Sequence, residues 1–292
     1  MSEGKGMPRT AVVTGGNSGV GLAVAEALGK KGYKVWIVGR NAEKGAAAVE
    51  RLRPHCSAGI AFLQLDVMLF SGIEQFVCTL RPQLGGRLDA LVHSMGVVGT
   101  KRKVSSDGLE EGWATQFLGR YLLTEAFTPE LSKSEDGRVV FVSAQAPKKP
   151  QLFEDDPSLE KNFSTMRAIA QNQSACVLYE QMYAAEHPSG PAISGAVAGL
   201  VRDTGITRAH PGFARAIAGV MYNLFGITPA QSAMNIVALA SDPALKDISG
   251  YWFSKPQDLE KRQKLAYDEM HVESLRRLLG RYEGVRNTLL SV

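Results

Sequence analysis

The most constraining feature of the sequence is a regular alternation between short runs of β-branched residues and longer segments with helical periodicity. The first run, Arg9 to Thr14, precedes the segment Gly19 to Lys31, whose apolar residues recur with the spacing of one helix face. Alternation of this kind is the signature of a parallel sheet with helices on both of its faces. We therefore predict an α/β fold with a doubly wound parallel sheet.

Further runs of the same type follow along the chain. They are Lys34 to Gly39, Ile60 to Asp66, Leu88 to Ser94, Gly137 to Ala144, Ala192 to Ala198 and Ile248 to Ser254. These runs are predicted to be buried strands, because both faces of a covered sheet are dry. Helical patterns separate them, around Glu43 to Leu52, Gly72 to Leu84, Leu109 to Leu131, Thr165 to Glu186 and Pro229 to Ser241. The pattern predicts a seven-stranded sheet.

No linker interrupts this series, so we predict a single domain over residues 1–292, although the length alone would allow two. Two stretches break the alternation: Pro147 to Phe163, rich in Pro, Lys and Asp, and 202–227, which mixes Arg with aromatic and aliphatic residues. We predict that both lie at one rim of the sheet and that 202–227 is a lid over the substrate. The tail at 257–292 is predicted to be helical, with a surface helix over Gln257 to Gly280 packed by one apolar stripe.

Composition excludes several classes of protein. Apolar residues make up 45% and charged residues 21% of the chain, which is typical of a globular protein and not of a disordered or fibrous one. The net charge of +4 comes from scattered Lys and Arg, so we expect no nucleic-acid partner.

The cysteines and the apolar segments bear on location. Cys56, Cys78 and Cys176 form no CxxC or Cys/His cluster, so we expect neither disulfides nor a metal site, and a cytoplasmic setting. The segment Met1 to Pro8 has no apolar core, and no stretch reaches ~20 uninterrupted apolar residues. We expect no signal peptide and no membrane partner.

The strongest chemical signal lies where the first strand turns into the first helix. It reads Thr14-Gly15-Gly16-Asn17-Ser18-Gly19-Val20-Gly21. Glycines there bring backbone N–H groups and the positive helix terminus close to a pyrophosphate, which a side chain would block. A glycine-rich turn without a ligand would look similar, so its place in the alternation matters. The motif predicts a Rossmann-type fold with a dinucleotide site at Gly15, Asn17, Ser18, Gly19, Val20 and Gly21.

This motif resembles the TGxxxGxG fingerprint of the short-chain dehydrogenase/reductase family, and the resemblance extends from Arg9 to about Ser254. His93-Ser94-Met95-Gly96 stands where the family usually has Asn-Asn-Ala-Gly, Leu65-Asp66-Val67 resembles its adenine-contacting Asp, and Ala198-Gly199 stands at its Pro-Gly. The resemblance implies an oxidoreductase with a nicotinamide cofactor. The contacts it implies are Asp66, Val67, Ser94, Met95, Gly96 and Gly199.

The end of the second strand bears on the choice of cofactor. NAD enzymes usually carry an acid there for the ribose 2′-hydroxyl, whereas this chain has Arg40-Asn41. A guanidinium can instead bind a 2′-phosphate, and a solvated loop charge is the alternative interpretation. We expect NADPH/NADP as the cofactor.

The resemblance also implies a catalytic Asn, Ser, Tyr and Lys, and this chain departs from the family at all four. The alignment puts Gln116 at the Asn, Ala144 at the Ser, Ile169 at the Tyr and Gln173 at the Lys. Such residues normally supply and activate the proton donor for carbonyl reduction.

Few other residues can replace them. Tyr251 to Lys255 is the only literal YxxxK, but it lies on the last predicted strand after Ser249-Gly250, far from the catalytic helix, so we expect no catalytic role. Ser94 and Ser143 are the nearest hydroxyls at strand ends, and with Gln116 they are the candidate catalytic residues. His93 is either a functional imidazole or a strand-end histidine satisfied by backbone groups.

Three functions compete on this evidence: an atypical NADPH ketoreductase, a non-redox isomerase or cyclase, and a cofactor-binding protein without chemistry. A ketone flanked by hydroxyl groups stabilises its own developing alkoxide, so hydride transfer can survive loss of the acid. The departures resemble those of atypical ketoreductases that act on polycyclic aromatic polyketides of the angucyclinone type in antibiotic biosynthesis. We expect that activity, with an aromatic ketone as substrate, in a monomer or homodimer.

Overall fold

The computed structural model describes residues 7–97, 99–202, 226–255, 258–263 and 267–292. Its strands are β1 Thr10–Thr14, β2 Lys34–Gly39, β3 Ile60–Gln64, β4 Ala90–His93, β5 Arg138–Ser143, β6 Ala192–Val197, β7 Tyr251–Phe253 and β8 Arg262–Gln263. They form one sheet in the order β3-β2-β1-β4-β5-β6-β7-β8. The first seven pair in parallel, which confirms the predicted α/β Rossmann-type fold.

The helices lie between the strands as predicted. They are α1 Gly19–Lys30, α2 Ala42–Leu52, α3 Phe70–Leu80, α4 Glu111–Trp113, α5 Gly119–Leu131, α6 Thr165–Glu186, α7 Pro229–Ser241, α8 Glu269–Gly280 and α9 Glu283–Ser291. A π-helical stretch, Ala114–Leu118, joins α4 to α5. The prediction of α6 is confirmed at both ends. At its N-terminus, the Ser164 side chain accepts a capping hydrogen bond from the Arg167 amide.

The prediction of seven strands is wrong by one. Strand β8 pairs antiparallel with β7, through Trp252 with Gln263 and Phe253 with Arg262. A strand of two exposed residues has no alternation to detect, so only the pairing defines it. The predicted surface helix over Gln257 to Gly280 is wrong at its start. Strand β8 lies within the predicted range, and α8 begins only at Glu269.

The side chains of successive strand residues pack alternately into two hydrophobic cores, one on each face of the sheet. Val12, Leu91 and Phe141 face α3, α5 and α6, whereas the intervening Val13 and Val92 face α1 and α7. All five side chains are fully buried. Burial of each such side chain contributes about 1.5–3 kcal/mol, so the two cores hold the strand ends in place.

The two irregular stretches differ in how much of them is described. Residues 203–225 of the predicted lid lie outside the described residues. Its ends are joined, because the Arg202 amide donates to the Ile227 carbonyl at 2.9 Å and the Ile227 amide donates to the Leu200 carbonyl at 2.8 Å. The stretch Pro147 to Phe163 runs without regular structure along α6.

The C-terminal helices cover the surface of the central helices. Helix α8 packs against α6, and α9 packs against α5 and α3. Glu154, in the irregular stretch, accepts hydrogen bonds from Ser274 and from two nitrogens of Arg277 on α8. Within the described part of the chain, no helix combines the length and apolar character needed to cross a bilayer.

Candidate active site

The order of the strands determines where a ligand can bind. The strand order reverses between the paired strands β1 and β4: from β1 the chain continues to β2 and β3 on one side, and from β4 to β5, β6 and β7 on the other. In doubly wound sheets the crevice outside the carboxyl ends at this point is the usual binding site. The turn after β1 and the residues after β2, β4, β5 and β6 all border it.

The glycine-rich turn after β1 packs too closely for side chains. Gly15 has a φ of +70°, and a Cβ there would lie 2.8 Å from the Ser94 carbonyl oxygen. A Cβ at Gly21 would lie 2.4 Å from the Gly15 carbonyl oxygen. Gly19 also has a positive φ, +54°. The turn is therefore held against the end of β4, with its backbone open to the crevice.

The first turn of α1 has free backbone donors. Ser18 is the N-cap residue but makes no capping hydrogen bond through its side chain, and the first turn contains no acidic residue. Orphan N–H groups and the positive end of the helix dipole favour an anion at such a position. With the glycine turn, they fit the pyrophosphate of a dinucleotide.

Arg40 lies at the end of β2, beside the glycine turn. The Asn17 amide packs against Gly39, where a Cβ would come within 2.7 Å of Nδ2. The Arg40 side chain is 47% exposed, and its Nη1 lies 3.8 Å from Oε1 of Glu111. Asn41 is used differently, because its Oδ1 accepts from the Lys44 amide and caps α2. Arg40 and Asn17 are therefore the side chains available to a 2′-phosphate.

The other predicted cofactor residues lie at the same edge of the sheet. Asp66 accepts from the Met68 amide through Oδ1 at 3.0 Å. The Val67 side chain is buried against Gly119 of α5, so only its backbone can contact a ligand. Gly199 follows β6 with a φ of +77°.

Gln116 and Gln173, which the sequence predicts to stand at the family's Asn and Lys, are buried and bond to each other. Gln173 Nε2 donates to Gln116 Oε1 at 3.2 Å, and Gln173 Oε1 accepts from the Ala144 amide at 3.0 Å. Gln116 Nε2 in turn donates to the Val97 carbonyl. The π-helical stretch places Gln116 here, and π-bulges are frequent at functional sites.

None of the four residues that the sequence predicts at the family's catalytic positions is an acid. Both amides are neutral, Ala144 carries no hydroxyl, and Ile169 is a half-buried aliphatic side chain. Next to Gln116 and Ile169 lies a cavity of about 10 Å³, bordered also by Val97, Glu110 and Phe163. Such a cavity has room for about one water molecule. Burial raises the pKa of Glu110, whose carboxylate accepts from the Trp113 amide and caps α4.

The structure places the two candidate serines and His93 at the ends of β4 and β5. Ser94 is half-buried, and Ser143 is buried with its Oγ 3.5 Å from Nη1 of Arg120. His93 is fully buried, and its Nε2 shares a hydrogen bond with Thr124 Oγ1 at 3.1 Å. One ring nitrogen of His93 is thus satisfied by a side chain and not by the predicted backbone groups, and Nδ1 has no hydrogen-bond partner among the described residues.

Arg120 was not among the residues predicted from the sequence. It is 3% exposed and contacts the ends of both β4 and β5. A charged residue between the apolar Phe117 and Leu123 of one helix was the available signal. Periodicity alone does not show which way such a side chain points.

The literal YxxxK motif lies elsewhere. Tyr251 belongs to β7, where it pairs with Ser194, and its ring lies under the Arg262 guanidinium at 5.4 Å. The carbonyl of Lys255 accepts from Asn235 of α7. Among the described residues, no group of three or more His, Cys, Asp and Glu side chains has an arrangement suited to a metal ion.

Comparisons with known proteins agree with this geometry. The chain is 32% identical to dehydrogenase/reductase SDR family member 12 of Bos taurus, over 81% of this chain and 73% of that protein. It is 28% identical to human polyprenol dehydrogenase, over 84% and 76%. A Shigella flexneri short chain dehydrogenase solved with NADP has a TM-score of 0.65 at 20% identity, covering 84% of this chain and 95% of that one. Residues 9–154 match the family model for short chain dehydrogenases. The chain belongs to the short-chain dehydrogenase family of oxidoreductases.

Proposed function

We propose that this chain is an NADPH-dependent ketoreductase that works without a tyrosine general acid. The observation that carries the proposal is the combination of the glycine turn after β1 with the Gln116–Gln173 pair. The glycine turn leaves its backbone open to a dinucleotide. The pair places neutral amides at the positions that we align with the family's Asn and Lys. Binding and positioning are retained, and protein-borne proton donation is lost.

In the proposed reaction, the proton comes from the substrate or from water and not from a protein side chain. The cofactor, when bound, supplies a hydride. The carbonyl carbon gains that hydride and the carbonyl oxygen gains a proton from a neighbouring phenol or from water, so a ketone becomes an alcohol. Loss of a positioned acid costs about 10²–10⁴ in rate, and orientation of the reactants can offset this loss. Ser94 and Ser143 at most orient the carbonyl, since an unassisted serine is a weak acid.

The proposed substrate is a polycyclic phenolic ketone of the angucyclinone type, as in antibiotic biosynthesis. The set of missing residues is similar to that of simocyclinone 7-ketoreductase. Two apolar side chains are exposed, Met166 in the first turn of α6 (73%) and Leu200 three residues after β6 (48%), and both are available to an apolar ligand. Two relatives are named for apolar alcohols, human polyprenol dehydrogenase and mouse retinol dehydrogenase 14. Their aldehydes belong in the same assay.

Isotope transfer tests the proposal. The purified protein is incubated with NADPH that carries deuterium at the transferable position and with phenolic polycyclic ketones, retinal or a polyprenal. Deuterium in the product carbinol supports the ketoreductase. Product formation without deuterium indicates an isomerase or cyclase, and cofactor binding without product indicates a binding protein; either result overturns the proposal. Ser94→Ala and Ser143→Ala should each keep most of the activity.

A further inference from the structure

A buried arginine lies beneath the carboxyl ends of β4 and β5. Arg120 extends from α5, where Nη2 donates to the Met95 carbonyl and Nη1 donates to the Val142 carbonyl at 2.9 Å. Nη1 also lies 3.5 Å from Ser143 Oγ. Its Nε has no hydrogen-bond partner in the described part of the chain. The guanidinium therefore joins the two strand ends that border the crevice.

Arg120 forms no ion pair in the described part of the chain. In the described part of the chain, no carboxylate oxygen lies within 4.0 Å of the guanidinium. Burial raises the pKa of Glu180 well above its ordinary value and raises that of Cys176 to about 12, although the charge of Arg120 opposes both shifts. Burial and Arg120 both lower the pKa of His93. Burial thus disfavours the charged form of each of these three neighbours.

Arg120 itself remains charged. Burial lowers the pKa of its guanidinium, but from a starting value so high that arginine does not lose its proton in proteins. The position that the family fills with Lys holds the neutral Gln173. One positive charge thus remains at this end of β4 and β5, and it comes from a different helix.

The charge is close to the crevice. A Cβ built on Gly96, the second residue after Ser94, would lie 3.6 Å from Nη2 of Arg120 and 3.5 Å from Gln116. Gly15 holds the dinucleotide turn against Ser94, so a ligand that crosses from β1 to β4 passes over this point. The second half of a dinucleotide and its reaction partner then lie over β4 and β5.

We propose that Arg120 is the fixed positive charge of this site: it stabilises a carbonyl oxygen that gains negative charge, and it favours the neutral reduced nicotinamide over the positively charged oxidised form. The inference rests on the proposed function, because it requires a nicotinamide cofactor in the crevice. Arg120 contacts neither group directly and acts through its electrostatic field. It is a positioning residue whose field replaces that of the missing lysine.

The experiment compares the dissociation constants of NADP⁺ and NADPH, by titration calorimetry, in the wild type and in Arg120→Gln. Removing one buried charge at a distance of several ångströms should lower the ratio Kd(NADP⁺)/Kd(NADPH) about tenfold. Arg120→Lys keeps the charge and should keep the ratio within about threefold of the wild type. A purely structural role would weaken both cofactors alike and leave the ratio unchanged.

Arg138 provides a matched control. It is equally buried, and it donates to the carbonyls of Leu239, Leu245 and Asp242 at the opposite end of β5. Arg138→Gln should destabilise the fold without changing the cofactor ratio. A similar change of Kd(NADP⁺)/Kd(NADPH) in Arg120→Gln and Arg138→Gln would contradict the inference, because the change would then be due to a general loss of packing.

A second measurement needs no variant. With NADP⁺ present, 2-naphthoate should bind the wild type at least tenfold more tightly than 2-naphthamide, because only the carboxylate resembles a negatively charged carbonyl oxygen. Equal affinities would overturn the inference even if Arg120→Gln does not fold. A wild type that binds both cofactors but shows no change of ratio in Arg120→Gln overturns the inference alone. A wild type that binds neither cofactor overturns the proposed function and the inference together.

Discussion

Gln173 and Gln116 form a buried amide pair, with 3.2 Å between Nε2 of the first and Oε1 of the second. The two side chains come from different helices, α6 and the π-helical stretch before α5. Each amide also bonds a backbone group, Ala144 N–H in one case and the Val97 carbonyl in the other. The pair links α6 to the loops after β4 and β5.

We therefore expect Gln173→Ala to lower the free energy of unfolding by about 1–3 kcal/mol, because it leaves the buried amide oxygen of Gln116 and the partly buried N–H of Ala144 without partners. Urea unfolding measures this change. Gln83→Ala is the control, since the exposed Gln83 amide donates only to Thr79 within its own turn, and it should change stability by about 0.5 kcal/mol or less. Equal losses in the two variants would show that the pair adds nothing.

Arg40 and Glu111 should have opposite effects on cofactor affinity. Arg40→Ala is expected to weaken NADPH binding about 10–100-fold and NADH binding little, because a charge-assisted bond to the 2′-phosphate is lost. Glu111→Gln is expected to strengthen NADPH binding a few-fold, because the carboxylate 3.8 Å from Arg40 competes with the phosphate. Calorimetric titration with both cofactors measures these changes. An unchanged preference for NADPH over NADH in Arg40→Ala would contradict the assignment of the 2′-phosphate site to Arg40.

Glu154 should make the docking of α8 sensitive to acid. Its hydrogen bonds from Arg277 and Ser274 lower its pKa from 4.5 to about 2. A lowered carboxyl pKa in the folded state stabilises the fold above pH 4.5, and this contribution disappears as the pH falls toward 2.

The measurement is the melting temperature of the wild type and of Glu154→Gln across this range. Near pH 7 the variant should melt about 1–3 °C lower, and the difference should close below pH 3. Glu160→Gln is the control in the same stretch, because Glu160 is 71% exposed beside Arg102 and should matter less. A difference that persists at pH 2 would contradict the role of the carboxylate.

Tyr251→Phe should leave turnover within about twofold of the wild type. Tyr251 lies on β7, two strands away from β5, so its hydroxyl is not at the ends of β4 and β5 where the proposed chemistry occurs. Turnover and cofactor affinity are measured together with the melting temperature. A fall of about a hundredfold in turnover, with stability and affinity unchanged, would show that the active site is elsewhere.

Local patterns along the chain were sufficient for much of the fold. The strand β2 and the helix α6 have the predicted bounds, because continuous apolar runs and capping residues act within a few residues of themselves. The glycine turn is equally local: the positive φ of Gly15 requires glycine wherever the turn occurs. The order of strands and motifs then sufficed to predict a dinucleotide crevice.

Contacts between distant segments decided the rest. Strand β8 exists only because β7 offers an unpaired edge to two exposed residues. The orientation of Arg120 and the bond between Gln116 and Gln173 depend on how α5 and α6 pack beside the ends of β4 and β5. The sequence by itself predicted that the usual acid is missing, whereas the tertiary structure decided which neutral and charged groups surround Gln116 and Gln173. Such groups are brought together by packing over tens of residues, and no periodicity along the chain encodes their distances.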